Sequence, residues 1–144
     1  MVLQQHFLVF ISAFAPGSDG AIHSYQLELG TGQLELVHKT TDVEHPFFMA
    51  LSPDQRLLYA IHAPGKFGGE APEEIAAYAL TGRTGQLTLL NRQSTLGSAS
   101  CFLDVDATGK TLVVANYMTG SVASLPVKDD GSLGKAESFF QHEG

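Results

Sequence analysis

Six side chains that can transfer a proton or bind an oxygen-rich ligand lie at the ends of predicted strands or in the connections between them. A histidine titrates near neutral pH and can accept or donate a proton. Asparagine and tyrosine can donate hydrogen bonds to ligand oxygens, and a carboxylate can accept them. The six residues are His45, His62, Asn116, Tyr117, His142 and Glu143. They can act together only if the fold brings them to one face of the molecule.

The elements that would position these residues recur along the chain. The stretch LSPDQRLLYAIHA (51–63) is similar to VDATGKTLVVANY (105–117), and each reads as a strand, a polar turn and a strand. The segments 20–37, 74–90 and 120–136 are also strand–turn–strand, with Gly-Gln-Leu or Gly-Ser-Leu in the turn. No stretch carries apolar residues at helical spacing for three turns. The sequence therefore predicts a repeating unit of four strands.

Four-stranded units that recur about every 50 residues are typical of β-propeller blades rather than of a sandwich. We therefore predict an all-β fold, a β-propeller of four-stranded antiparallel blades, with about three blades in a single partial domain, residues 1–144. The predicted blades are residues 5–41, which supply three strands, residues 42–96 and residues 97–144.

The connections of an up-and-down blade alternate between two faces, so the predicted strand order assigns each connection to a face. The turns at 52–56 and 81–86 fall on one side, which we call the lower face. The other side, which we call the upper face, collects all six residues named above. The upper face comprises the connections 13–20, 42–46, 62–74, 95–100, 116–120 and 142–144.

Composition excludes several classes of function. The formal charge is −7, and the eight Lys and Arg residues are spread singly, whereas a nucleic-acid surface needs clustered cations. Neither a nucleic acid nor a membrane is therefore expected as a partner. The longest apolar run, residues 7–14, is too short to span a bilayer and lacks a basic flank. The alternative for this run is a cleaved secretory segment that ends near Ala15. The single Cys101 requires no oxidising compartment, so we expect a cytoplasmic location.

Three longer strings carry a resemblance to a known family. They are SASCFLDVDATGKTLVVANYMTGSVASLPVKDDGSLGKAESFFQHEG (98–144), HPFFMALSPDQRLLYAIHA (45–63) and TGQLTLLNRQST (84–95). Together they resemble the lactonase family of seven-bladed propellers, which includes the propeller-type bacterial 6-phosphogluconolactonase and the fungal carboxymuconate-cyclising enzyme. The resemblance covers nearly the whole chain but only the amino-terminal part of the family, about three blades of seven. The strings VANY and QHEG carry it most specifically.

The resemblance implies a hydrolase of carbohydrate metabolism that opens a lactone bound over the central channel. It implies His142 as the base that activates water, with Glu143 orienting it. We expect no cofactor and no metal. Asn116 and Tyr117 would donate hydrogen bonds to substrate oxygens, and His45 and His62 would complete the binding site. The expected partner is a small-molecule lactone or sugar-acid ligand.

Each assignment has a structural alternative. Asn116 can simply tie a loop, because asparagine often bonds nearby backbone. His142 and Glu143 can belong to a solvated tail. Cys101 is expected to be a small buried apolar residue rather than a nucleophile. The chain also departs from the family at positions expected to face the channel, with Phe102 in place of a histidine and Phe47 in place of a serine.

Further departures are His62-Ala63, where the family has Asn-Glu, and Ser12-Ala13-Phe14, where it has Gly-Thr-Tyr. Three hypotheses stay open. The chain is a truncated or fragmentary lactone hydrolase, a non-catalytic propeller that binds a ligand or protein, or an inactive remnant. Three blades leave apolar faces at both ends, so we also expect possible self-association to cover them.

Overall fold

A computed structural model describes residues 6–144, and within that range it contains β-strands and a single short 3-10 turn at Gly17–Asp19. The strands are β1 (His6–Ala13), β2 (Ala21–Glu28), β3 (Leu34–Thr40), β4 (Met49–Leu51), β5 (Leu57–His62), β6 (Glu74–Leu80), β7 (Leu87–Ser94), β8 (Ser100–Val105), β9 (Thr111–Asn116), β10 (Ser121–Pro126) and β11 (Ser138–Gln141). The predicted all-β fold is confirmed.

The strands form three antiparallel sheets, which we call blades 1, 2 and 3. Blade 1 has three strands in the order β1-β2-β3. Blade 2 has the order β4-β5-β6-β7, and blade 3 has the order β8-β9-β10-β11. Each strand pairs with its neighbour in sequence, as in an up-and-down blade. The first predicted blade began at residue 5, which lies outside the described residues.

Blade 2 is buried on both sides because it lies between the other two blades. Successive side chains of a strand point to opposite faces, so β5 contributes Leu58 and Ala60 to the core with blade 1. The same strand contributes Tyr59 and Ile61 to the core with blade 3. This two-sided burial explains why β5 reads as an unbroken apolar run rather than as an alternating one.

The outer sides of blades 1 and 3 carry exposed apolar side chains. On blade 3, Phe102 pairs with Ala115, Ala115 with Val122 and Val122 with Phe140, so these four residues form one row across the sheet. Phe140 is 60% exposed, and Phe102 is 49% exposed although its ring contacts Phe48 before β4 of blade 2 (4.9 Å). On blade 1, Phe7, Ile11, Leu34 and Leu36 are the exposed apolar residues. Such apolar faces are the kind that association covers.

Side chains of one blade bond to the backbone of a turn in its neighbour. Asn91 of blade 2 donates its Nδ2 to the carbonyl of Leu133 (2.8 Å) and accepts the N–H of Leu133 on Oδ1 (2.9 Å). The Tyr59 hydroxyl donates to the Gly131 carbonyl (3.0 Å). Ser24 of blade 1 donates to the Gly85 carbonyl of blade 2 (2.7 Å). These bonds fix the blades relative to one another.

On the lower face, turns of blades 2 and 3 meet in one groove. The turn at 52–56 lies beside residues 108–110 and 127–131, with a cavity of about 240 Å³ between them. Gly131 has a φ of +88°, and a Cβ there would meet the Leu57 side chain, so only glycine fits. In the part of the chain that the structure describes, no helix is long and apolar enough to cross a membrane.

Candidate functional site

Three upper-face segments meet where blades 1 and 2 join. They are residues 13–17 after β1, residues 43–47 before β4 and residues 62–67 after β5. The N–H of His45 donates to the Ala15 carbonyl (2.9 Å), and the N–H of Ala63 donates to the Glu44 carbonyl (3.0 Å). The junction is therefore held by backbone bonds that do not depend on any one side chain.

The Glu44 carboxylate adds a second set of bonds to this junction. Its Oε2 accepts the N–H of Gly17 (2.9 Å) and the N–H of Gly65 (3.2 Å). These backbone donors, that of Gly17 first, lower the pKa of Glu44. The carboxylate thus occupies the backbone donors that this junction could otherwise present to an anionic ligand.

His62 holds the same junction through its ring. The N–H of Glu44 donates to Nδ1 of His62 (2.9 Å), so this nitrogen must be unprotonated. The proton of the neutral ring is then on Nε2, which lies 3.8 Å from Oε2 of Glu74. Burial lowers the pKa of His62, with a further contribution from Arg92. Only Nε2 of His62 is therefore left for the predicted substrate contact, because Nδ1 already accepts the backbone N–H of Glu44.

His45 is the histidine best arranged for proton transfer. Its Nδ1 lies 2.9 Å from the carbonyl of Ala63, which can only accept, so Nδ1 carries the proton. The neutral ring therefore keeps its lone pair on Nε2, which has no hydrogen-bond partner in residues 6–144. Its backbone φ of +43° is unusual for a residue other than glycine.

His45 is largely buried, at 8% exposed, but its Nε2 atom is not fully sealed from solvent. In the described part of the chain, two side-chain polar atoms are fully buried without a hydrogen-bond partner, Thr40 Oγ1 and Arg92 Nε. His45 Nε2 is not one of them. A base held by a hydrogen bond on one nitrogen and accessible on the other is the arrangement that general base catalysis uses.

Three phenylalanines beside His45 form what we call the aromatic cluster: Phe14, Phe47 and Phe67. The Phe14 ring lies at its centre, 4.9 Å from the His45 ring, 5.9 Å from Phe47 and 5.4 Å from Phe67. Phe47 and Phe67 stack at 4.8 Å. Phe14 is 51% exposed and Phe47 is 44% exposed. Phe14 and Phe47, which both depart from the family pattern, therefore lie close together in space.

Asn116 belongs to a buried network under the upper face. Its Oδ1 accepts from the Ser100 hydroxyl (2.7 Å). Its Nδ2 donates to the Thr95 carbonyl (3.1 Å) and to the Ser121 hydroxyl (3.2 Å). Both amide hydrogens are therefore engaged within the protein. This arrangement favours the alternative in which Asn116 ties loops together over the predicted donation to a substrate.

Glu73 is a site residue that the sequence did not reveal. It is only 1% exposed. Its Oε1 accepts the N–H of Gly68 (2.8 Å) and of Ala99 (3.0 Å). Its Oε2 accepts the N–H of Ser100 (3.0 Å) and shares the single hydroxyl proton of Ser100 with Asn116 Oδ1. Glu73 therefore joins the loop that carries Phe67 to the start of blade 3. Its partners in blade 3 are 26 and 27 positions away in the sequence. The only signal that could have pointed to Glu73 was an acidic residue beside a predicted strand.

The remaining predicted residues lie beside blade 3. Tyr117 is 79% exposed, and its N–H donates to the Ala99 carbonyl (2.9 Å). The N–H of His142 donates to the Gly120 carbonyl (2.9 Å), and its ring lies 5.1 Å from that of Phe140. In residues 6–144 no hydrogen bond joins the His142 ring to the Glu143 carboxylate, so the predicted orienting contact is not formed.

The six predicted residues thus fall into two groups. His45 and His62 share the junction of blades 1 and 2. Asn116, Tyr117 and His142 lie around the loop that joins β9 to β10, and Glu143 follows His142 in the chain. Within residues 6–144, no three histidine, cysteine or acidic side chains are arranged to hold a metal ion.

Comparison with known proteins gives one family and several relatives. The sequence profile described as Lactonase, 7-bladed beta-propeller matches residues 8–144. The 6-phosphogluconolactonase of Bacillus subtilis is 28% identical over 138 residues, which are 96% of this chain and 38% of the relative.

Two solved structures share the fold. A Bacteroides fragilis protein proposed to be a 6-phosphogluconolactonase has a TM-score of 0.87 at 25% identity, over 100% of this chain and 38% of its own. The periplasmic gluconolactonase of Pseudomonas aeruginosa has a TM-score of 0.82 at 25% identity, over 96% of this chain and 39% of its own. The chain therefore spans less than half the length of these relatives.

Proposed function

The chain belongs to the lactonase family of seven-bladed β-propellers, and from this premise we propose that it opens the ester ring of a lactone. The observation that carries the proposal is the family match over residues 8–144. Relatives that cover this stretch are named 6-phosphogluconolactonase and gluconolactonase. Ring opening is the hydrolysis of an internal carboxylic ester, and it yields a hydroxy acid.

We assign the base for this reaction to His45. Its Nε2 would take a proton from water as the water oxygen attacks the lactone carbonyl carbon. The tetrahedral intermediate then collapses, the ring C–O bond breaks, and the same proton passes to the departing alkoxide. The Ala63 carbonyl stabilises the ring in the required tautomer by accepting from Nδ1 (2.9 Å). Nε2 of His62, at the same junction, is a candidate donor to the carbonyl oxygen.

His142 and Glu143 stay a second assignment of the catalytic pair. Both are exposed, and the Phe140 contact of His142 leaves its ring at the edge of blade 3. Mutagenesis can distinguish the two assignments. His45 and His142 lie in different blades, so each can be substituted without changing the other's surroundings.

The test is a pH-stat assay of glucono-δ-lactone opening by the purified chain, with the spontaneous rate subtracted. His45→Asn is the informative variant because asparagine tolerates a positive φ. General base catalysis contributes 10²- to 10⁴-fold, so we expect kcat/KM to fall about 100-fold or more. His38→Asn, in β3, is the control and should retain the full rate. No rate above the spontaneous one would contradict the proposed function. A loss in His142→Ala with full activity in His45→Asn would move the base to His142.

Ligand binding without turnover is the second candidate function. The exposed rings of Phe14 and Phe47 favour it, because half-exposed aromatic side chains are typical of binding surfaces. Saturable lactone binding without hydrolysis would identify this function.

We also propose that copies of the chain associate through the open faces of blades 1 and 3, and that the protein is cytoplasmic. The exposed Phe7, Ile11, Phe102 and Val113 support association. Light scattering on a size-exclusion column tests it, with a discrete dimer as the expected result and a monomer as the contrary one. The single Cys101 supports the location, which fractionation of cells that carry the gene would test.

A further inference from the structure

We propose that the site at the junction of blades 1 and 2 takes an uncharged lactone whose apolar ring face packs on the aromatic cluster, and that it disfavours a phosphorylated lactone. This inference rests on the proposed function and names its substrate class. Three observations carry it: the charges of the upper face, the occupied backbone donors, and the exposed phenylalanine rings.

The charges of the upper face are strongly one-sided. Its connections hold seven carboxylates and a single cation, Lys66. The carboxylates are Asp19, Asp42, Glu44, Glu70, Glu73, Glu74 and Glu143. A phosphate group carries up to two negative charges and would be repelled by this excess, so its binding would need a local cluster of arginine or lysine.

The cations of the chain lie mostly elsewhere. Five of the eight Lys and Arg residues are in lower-face connections: Arg56, Arg83, Lys110, Lys128 and Lys135. Lys39 is in β3, and Arg92 in β7 is paired with the carbonyl and carboxylate of Asp42. Lys66 is therefore the single cation in the upper-face connections. Within residues 6–144 no carboxylate lies within ion-pair distance of it.

Backbone N–H groups are the other common way to bind a phosphate. At this junction the N–H groups of Gly17 and Gly65 both donate to the Glu44 carboxylate. A phosphate could reach them only by displacing a carboxylate of this same chain. The site therefore already contains the anion that its backbone donors would bind.

The aromatic cluster offers a different kind of recognition. Phe14 and Phe47 keep about half of their surface exposed, although both pack against Phe67. The C–H face of a six-membered lactone ring would cover these rings and remove apolar surface from water. Phe14 also contacts the His45 ring, so a lactone on the cluster would lie next to the assigned base.

The test compares three lactones in the pH-stat assay, each corrected for its spontaneous rate. Glucono-δ-lactone and 6-phosphoglucono-δ-lactone differ only in the phosphate, and δ-valerolactone lacks the hydroxyl groups. We expect kcat/KM for each uncharged lactone to exceed that for the phosphorylated one at least tenfold.

The aromatic contact is tested with Phe47→Ala, with Phe139→Ala as the matched control because that residue in β11 is equally exposed, at 46%. We expect Phe47→Ala to lower kcat/KM for δ-valerolactone about tenfold, mainly through KM, and Phe139→Ala to leave it unchanged. Both side chains are exposed, so both variants should melt near the wild-type temperature.

The outcomes separate this inference from the proposed function. If the phosphorylated lactone is opened as fast as the others or faster, the inference is wrong and the lactonase function stands. If none is opened, the proposed function is wrong, and saturation-transfer NMR of the same lactones decides the inference. A δ-valerolactone signal that is lost in Phe47→Ala but not in Phe139→Ala supports it. An unchanged signal in Phe47→Ala, or a stronger one from the phosphorylated lactone, overturns it.

Discussion

Replacing Glu73 with glutamine should loosen the connection between blades 2 and 3. The carboxylate accepts the backbone N–H groups of Gly68, Ala99 and Ser100, and it shares the one hydroxyl proton of Ser100 with Asn116. A glutamine has one oxygen, which can serve two of these donors, whereas its NH₂ group must face the other two. If the NH₂ group faces Ser100, the Ser100 hydroxyl can turn to accept a hydrogen bond from it. The backbone N–H of Ser100 is then left without an acceptor in a fully buried position.

The magnitude follows from these lost bonds. A buried donor without an acceptor costs about 1–3 kcal/mol, and a hydrogen bond to a charged group contributes about 1.5–3 kcal/mol. We therefore expect Glu73→Gln to lower the free energy of unfolding by about 3 kcal/mol. At the usual entropy of unfolding per residue, this corresponds to a melting temperature lower by about 10 °C for a chain of this length.

The assay is thermal unfolding followed by far-ultraviolet circular dichroism at pH 7, with urea titration as the second measurement. Glu70→Gln is the matched control, because Glu70 lies in the same loop, is exposed and makes the same change of charge. It should melt within 1–2 °C of the wild type. A Glu73→Gln protein as stable as the control would refute the claim that this carboxylate joins the two blades.

Two further changes test the junction of blades 1 and 2. His62 accepts a backbone N–H on Nδ1 and its pKa is lowered by burial, so the unfolded chain binds a proton more readily than the folded one. Stability should therefore be full above about pH 6.5 and decline as the pH falls below it. In His62→Asn, whose amide oxygen can accept the same N–H, melting temperatures should depend less on pH between 7 and 5, and an equal dependence would exclude His62. Gly20→Ala would place a Cβ 2.4 Å from the Val43 carbonyl and 2.6 Å from the Ala15 carbonyl. It should reduce the urea midpoint by an amount equivalent to about 2 kcal/mol or more, and an unchanged midpoint would mean that the two segments separate easily.

The sequence predicts the fold well because its information is local. Gly109 and Gly131 have positive φ and stand in turns between strands of opposite direction, so each glycine reports a turn directly. The sequence repeats arise because each blade needs the same kind of turn between its antiparallel strands. Alternation was a weaker guide in β5, where burial on both sides removed the polar positions.

The site was harder to predict because it depends on contacts between distant segments. His45 and Ala63 are 18 positions apart, and Glu73 and Ser100 are 27 apart. The sequence identified His45 as an upper-face residue but could not show which of its nitrogens is tied to the backbone. It gave no sign that Glu73 would be buried, since most glutamates are exposed.

Bonds from a side chain of one blade to the backbone of the next affect how the sequence can vary. Asn91 and Tyr59 contact main-chain atoms of residues 131 and 133, and these atoms are present whatever side chains the turn carries. Substitutions that keep the turn geometry therefore leave the contact between blades intact. Such tolerance is one way in which proteins of only 25% identity keep the same arrangement of blades. It also predicts that a blade grafted from a relative would fit if the donor strand brings its own asparagine and tyrosine. The receiving turn could be exchanged apart from its glycine and the buried Leu133.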